Sequence, residues 1–139
     1  MCGIIGYIGV EEKATNMIME GLSKLEYRGY DSAGIAIFTP SGICVEKTKG
    51  KLGNLADHLA QIGFPQGYAG IGHTRWATHG EPSDVNAHPH WSQDHSVVVV
   101  HNGIIENYAQ LREELIAAGD TFLSDTDTEI IPHIIARYY

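Results

Sequence analysis

Apolar and polar positions along the chain follow two periods, and the switches between them fall at glycine and proline clusters. Gly3 to Ile8 is an apolar run punctuated by Gly6 and Gly9 and reads as a buried strand. Ala14, Met17, Ile18, Leu22 and Leu25 then recur at helical steps, which predicts an amphipathic helix with one apolar face. Met17 and Met19 read as core filler. Tyr27-Arg28-Gly29-Tyr30-Asp31 breaks the period. Gly34 to Phe38 and Ile43 to Thr48 flank the turn Pro40-Ser41-Gly42 and predict a hairpin. Leu52, Leu55, Leu59 and Ile62 mark a second, shorter helix, and Tyr68 to Thr74 another strand. Gly70 and Gly72 in that strand predict the close approach of a backbone or a ligand. No helix start follows them, so they do not form a phosphate loop.

Residues 75–95 show no period and are dense in His and Trp. Irregular loops longer than about 12–15 residues are usually functional or disordered, and the composition here favours function. Ser96 to His101 is β-branched and predicts a buried strand that runs into Asn102-Gly103. Tyr108, Leu111, Leu115 and Ala118 predict a third helix, closed by Gly119 at the C′ position. Thr121-Phe122-Leu123 reads as a brief strand. Asp127 or Thr128 is placed to cap a last helix, with Pro132 tolerated only near its first turn. That helix carries Ile130, Ile131, Ile134 and Ile135 and stops at Tyr139 without a C-cap glycine, as a fragment of a longer chain would. About six strands and three to four helices predict an α+β protein with layered sheets and helices.

Composition narrows the function classes. The 139 residues suffice for one domain, and a formal charge of −8 without a basic run argues against a nucleic-acid partner. The short apolar opening is neither a signal peptide nor a membrane span, so the expected location is the cytoplasm, with no membrane partner. Two cysteines, Cys2 and Cys44, make no disulfide framework, although a single bond between them stays open. Cys44 reads as a buried strand residue. His73, His79, His88, His90 and His101 invite a metal reading, but His88-Pro89-His90 matches no zinc spacing and no metal is expected.

Cys2 is the first candidate for chemistry. Once Met1 is removed it carries a thiol and a free α-amine on one residue. With unperturbed values near ~8.5 and ~7.7–8.0, the amine can take the thiol proton. Alternatively Cys2 is a small apolar residue that begins a strand. Attack on an amide carbonyl would require two donors for the oxyanion and a grip on the far end of the substrate. Asn102 and Gly103, past the end of a strand, suit the first requirement; a plain turn is the alternative. Arg75 can hold a carboxylate in two parallel hydrogen bonds and Asp127 an ammonium, together reading the α-amino-acid end of a glutamine. The alternatives are a surface ion pair for Arg75 and a helix cap for Asp127. Trp76 is either a lid or plain core.

Six motifs in order span nearly the whole chain: Cys2-Gly3-Ile4-Ile5-Gly6, Tyr27 to Gly34, His73 to Gly80, Asn86 to His90, His101 to Asn107, and Thr126 to Glu129. They resemble the class II glutamine amidotransferases, which are N-terminal-nucleophile enzymes. Within that class the chain is most similar to the glutaminase domain of the glutamine–fructose-6-phosphate aminotransferases. Tyr30-Asp31-Ser32-Ala33-Gly34, Trp76 to Gly80 and Asn102 to Asn107 favour this branch over the amidophosphoribosyltransferases.

The resemblance implies a partial αββα four-layer sandwich and an amidotransferase domain over residues 1–139, incomplete at its C-terminal end. The sugar-isomerase domain is absent from the chain. The resemblance also implies Cys2 as nucleophile, its α-amine as base, and Asn102 and Gly103 as the oxyanion hole. Arg75 and Asp127 would hold glutamine, Thr78 and His79 would line the pocket, and Trp76 would belong to the closing loop. No cofactor is called for. An incomplete domain would leave apolar edges open to self-association. A glutaminase part of another class II amidotransferase, and a catalytically inactive glutamine-binding fragment, are the alternatives.

Overall fold

The apolar runs of the first half pair into one antiparallel sheet. The computed structural model describes residues 1–77 and 80–139. Strands β1 (Gly3–Ile8), β2 (Ser32–Thr39), β3 (Gly42–Lys49) and β4 (Ala69–Arg75) lie in the order β1-β4-β2-β3. Helices α1 (Ala14–Leu25) and α2 (Leu52–Ile62) cover one face. Ala14, Ile18 and Leu22 from α1 and Leu55 and Leu59 from α2 close over Ala33, Ile35 and Ile37 of β2. This is the period-2 face of the strand meeting the helical stripes that the sequence predicts. The two β4 glycines face α1. A Cβ at Gly72 would lie 2.4 Å from the Ile18 side chain, so the close approach is by a helix side chain and not by a ligand.

The opposite face of the sheet carries a second, smaller β-layer. Strands β5 (His90–Trp91) and β6 (Val98–Val99) form a hairpin, α4 (Ile130–Tyr138) packs on it, and α3 (Tyr108–Ala117) packs on α4. The layers therefore run helix, sheet, sheet, helix. Contacts at β2 and at β3 help fasten the second layer to the first. Gly34 of β2 lies so close to residues 87–89 that a Cβ there would sit 1.9 Å from the His88 carbonyl oxygen. Lys47 of β3 donates to the carbonyls of Val85, Ala87 and Pro89 at 3.2, 2.8 and 3.0 Å. Its burial in this cage pushes the ammonium pKa down to about 8.

Several expectations change. Only Val98 and Val99 of Ser96–His101 pair as a strand, because Ser92 bonded to Val97 already closes the hairpin turn at one end and Pro89, which has no N–H, stands at the other, and these valines are half-buried rather than buried. Thr121–Leu123 is not a strand. The Glu129 carboxylate takes the amides of Leu123 and Ser124 at 2.8 and 2.7 Å and holds the segment without a strand partner. Neither Asp127 nor Thr128 caps the last helix, which has no side-chain cap; the Asp127 carboxylate instead accepts from the Ile105 amide at 2.7 Å. Pro132 does fall in the first turn of α4. Gly119 closes α3 as expected. At φ +104 it lets its own amide reach Ile116 O and the Asp120 amide reach Leu115 O, both at 3.0 Å. Cys44 is half-buried on β3, and both cysteines are free. β1 is an edge strand whose outer face leaves Ile4 and Ile8 at 42% and 85% exposure.

Gly34→Ala would drive a methyl into the His88 carbonyl, a backbone atom that cannot swing aside. It is expected to destabilise the protein by about 1–3 kcal/mol, as overpacking does. A thermal midpoint equal to that of the parent would show that the two layers separate without strain.

Candidate active site

The site follows from the register of β1 on β4. Gly3 pairs with Thr74, so Cys2, one residue before β1, falls beside the end of β4. Its sulfur accepts the Trp76 backbone N–H at 3.0 Å. The pairing of Ser32 with Arg75 brings Asp31 to the same end of the sheet. The Asp31 carboxylate accepts from the Ala77 amide and from the Ser32 hydroxyl, and its own amide donates to Arg75 O at 3.2 Å. Gly29 makes this possible: a Cβ there would lie 2.8 Å from the Arg75 backbone. The turn between α1 and β2 thus holds the chain leaving β4.

Alternation along β4 sends His73 and Arg75 to the face opposite α1. Arg75 is buried, not a surface ion pair. It donates to Gly80 O at 3.0 Å and at 3.5 Å to Glu81 O, and faces Asp31, Cys2 and Asp127 electrostatically. Burial lowers its pKa, and those acidic neighbours oppose the shift. Asp127 is buried across the cavity. His101-Asn102-Gly103 follows β6 after Val100. The Asn102 amide NH2 donates to Cys2 O at 3.0 Å, and its carbonyl oxygen meets His73 Nε2 at 2.9 Å. Met1, Cys2, Arg75, Trp76, Asn102, Gly103 and Asp127 line one cavity of about 530 Å³, with Arg28, His88, Thr126 and Thr128 among its other walls. Arg28 reaches the Met1 sulfur. Trp76 is 48% exposed and meets Tyr30 edge-on at 5.3 Å, so it stands at the rim and not in the core.

Beneath the cavity the imidazoles stack instead of converging. His73 and His88 lie face to face at 4.1 Å, and His90 meets His88 edge-on at 4.7 Å. Burial is the main cause that keeps all three neutral: it takes His73 down to about 4 against the opposing hydrogen bond to Asn102, takes His88 lower still, and holds His90 well below its ordinary value, with Arg75 adding to each shift. Among the described residues no three His, Cys, Asp or Glu side chains are arranged to hold a metal ion.

Residues 57–138 match the family model described as a glutamine amidotransferase domain. The chain belongs to the glutamine amidotransferase family. Over all 139 residues it is 58% identical to a glutamine–fructose-6-phosphate aminotransferase (isomerizing) of Clostridium perfringens and 54% identical to that of Fusobacterium nucleatum. It spans 22% and 23% of the length of those relatives. Among solved structures it resembles a glutamine phosphoribosylpyrophosphate amidotransferase from B. subtilis (TM-score 0.80, 28% identity, 99% of this chain and 29% of that one). It also resembles an allosteric regulatory enzyme of purine biosynthesis (TM-score 0.81, 29% identity, 99% of this chain and 30% of that one). The amidotransferase resemblance and the layered α+β architecture read from the motifs both stand.

In this amidotransferase the cavity brings together Cys2, Arg75, Trp76, Asn102, Gly103 and Asp127; Thr78 and His79 lie outside the described residues. The sequence pattern gives no role to Asp31, Lys47 or Glu129. Asp31 is marked only by lying inside the Tyr27 to Gly34 motif, and Lys47 stands among the polar Glu46, Thr48 and Lys49 without a signal of its own. The stacked His73, His88 and His90 register in the sequence as metal-ligand types and as members of motifs, with no role of their own.

Acid should unfold the protein through the stacked histidines. Unfolded histidine takes its proton near ~6.5, whereas folded His73 waits until about 4, His88 until lower pH, and His90 until well below the ordinary range. The unfolded state therefore binds more protons below ~6.5, and stability falls with pH at up to about 1.4 kcal/mol per unit per group. Denaturant midpoints measured from about pH 7 to 4 should slope accordingly, and His88→Phe should remove close to one proton from the slope. An unchanged slope would mean that His88 is already protonated in the folded protein.

Proposed function

We propose that the chain hydrolyses the side-chain amide of glutamine with Cys2, as the ammonia-supplying part of a longer glutamine–fructose-6-phosphate aminotransferase. The observation that carries this is the Cys2 sulfur, hydrogen-bonded to a backbone N–H, in one cavity with Asn102, Gly103, Arg75 and Asp127. Removal of Met1 frees the Cys2 α-amine. The amine takes the thiol proton as sulfur attacks the amide carbon, and the carbonyl π electrons become the oxyanion. Asn102 NH2 and Gly103 N–H are the donors to that oxyanion, and each is worth about 10²–10³ in turnover. The intermediate collapses, and ammonia leaves with the proton returned by the α-ammonium. Water then attacks the thioester with the α-amine as base, which releases glutamate and restores the thiol.

Arg75 holds the substrate carboxylate, and Asp127 its ammonium. Trp76 belongs to the loop that closes over them, and Thr78 and His79 complete the wall. Asp31 and Lys47 act indirectly, by holding the backbone on either side. Ammonia is then passed to a sugar-isomerase domain beyond residue 139, which makes glucosamine 6-phosphate from fructose 6-phosphate. Identities of 54–58% to relatives of that name favour this acceptor over the phosphoribosyl acceptor of the solved structures, which are 28–29% identical. Residues 1–139 form the amino-terminal part of the amidotransferase domain. A cytoplasmic setting suits a catalysis that needs a reduced thiol, and no helix among the described residues is long and apolar enough to cross a membrane.

Ammonia release from glutamine tests the assignment. Wild-type protein lacking Met1 should release it, and Cys2→Ala should not; release by Cys2→Ala would sink the nucleophile. Met1-retaining protein should be nearly inactive, because its Cys2 nitrogen is in a peptide bond. Asp127→Asn keeps an acceptor for the Ile105 amide but loses the charge. It should raise the glutamine KM about 10- to 100-fold, the usual value of a hydrogen bond to an ionised group. An unchanged KM would remove Asp127 from substrate binding.

A further inference from the structure

Asn102 can serve an oxyanion only with its NH2 end, and not its carbonyl, toward the reacting carbon. The two ends of a primary amide are nearly equal in shape, and half a turn exchanges donor for acceptor. In this structure the two ends meet different neighbours. The end toward the nucleophile lies 3.0 Å from the backbone carbonyl of Cys2, and the other lies 2.9 Å from His73 Nε2. A backbone carbonyl only accepts, so the NH2 faces Cys2 and the oxygen faces His73. His73 must therefore carry its proton on Nε2 to make the second bond.

The two anchors differ in firmness. Cys2 is the reacting residue, one position from the chain terminus. His73 is fully buried on the central strand, paired with Ile4 on one side and Gly34 on the other, and stacked on His88. Its pKa of about 4 leaves the ring neutral near pH 7, so a tautomer and not a charge governs the bond.

We infer that His73, as its Nε2–H tautomer, is the positioning residue that fixes the Asn102 amide with its NH2 turned toward Cys2. The inference rests on the glutaminase assignment of this cavity. His73 touches no reacting atom. Without it the amide samples both orientations, and the wrong one presents a lone pair to the oxyanion. The loss falls on the transition state, because Arg75 and Asp127 hold the other end of glutamine.

The test uses the full-length protein with Met1 removed. If wild type shows no Cys2-dependent ammonia release, the glutaminase assignment itself fails. With wild type active, His73→Phe should lower kcat about 10²–10³-fold, as loss of an oxyanion donor does, with KM for glutamine within about threefold. It should weaken an aldehyde analogue of glutamine by the same factor, because the thiol adduct of that analogue carries an oxyanion at the same place. His73→Gln returns an N–H donor and should recover most of kcat. An unchanged kcat in His73→Phe, or a loss confined to KM, would overturn the inference. Imidazole nitrogen NMR shifts of the wild-type protein decide the matter even if neither variant folds. A neutral His73 protonated on Nε2 is expected, and one protonated on Nδ1 would overturn it.

Discussion

The antiparallel register of β1 on β4 is the constraint from which the site follows. Gly3 opposite Thr74 leaves Cys2 level with Arg75, one residue short of Trp76, whose amide reaches the sulfur at 3.0 Å. The same strand pairs Arg75 with Ser32 on its other edge, so Asp31 arrives at the same end of the sheet. A slip of one residue would reverse every side chain of β1, sending Ile5 and Tyr7 out of the helix-facing core. Packing of the apolar core and placement of the nucleophile are thus fixed by one set of hydrogen bonds. Glycines on both sides of the contact tighten that packing, since Gly72 of β4 admits Ile18 and Gly21 of α1 admits Ile5.

The space between the two β-layers is polar, which is unusual for a core and costly unless the groups are partnered. The chain meets the cost in two ways. His73, His88 and His90 take the neutral form and stack, so they bury no charge of their own. Charges that remain are enclosed by acceptors: Lys47 by three carbonyls, Arg75 by Gly80 O and Glu81 O. Glu129 and Asp127 are anions met by backbone amides, Leu123 and Ser124 for the first and Ile105 for the second. Each such bond ties a loop of the second layer to a fixed point. The cavity wall is therefore held by polar contacts, while the apolar core lies on the other side of the sheet.

The long periodic elements were legible in the sequence: β1, α1, the β2–β3 hairpin, α2 and β4 all lie where their periods predict. Gly119 was legible because a C′ glycine has a local geometry. The cap offered at Asp127 or Thr128, beside the ammonium role for Asp127, did not form: the segment Thr126-Asp127-Thr128 carries the local signature of a helix start, and only the folded chain reveals the Ile105 amide beside Asp127. Val97 to Val100 overstated its strand, because β-branched composition cannot report the length of the partner. The candidate site was named through motifs, and the fold gathers six of its residues around one cavity. What local pattern could not supply were the residues that act at a distance in sequence. Lys47 meets a loop some forty positions away, and His73 meets an amide after β6; neither pairing leaves a periodic trace.

The Lys47 cage carries a consequence for how this chain can vary. Its three contacts are to main-chain oxygens at alternate positions 85, 87 and 89, so the lysine is indifferent to which side chains occupy them. It is not indifferent to their count. Replacing Val85 leaves all three oxygens in place, whereas adding or deleting one residue between Val85 and Pro89 moves at least one of them out of reach. Homologous chains that keep a cation at this point of the hairpin should keep the length of this loop frozen, the reverse of what surface loops ordinarily do.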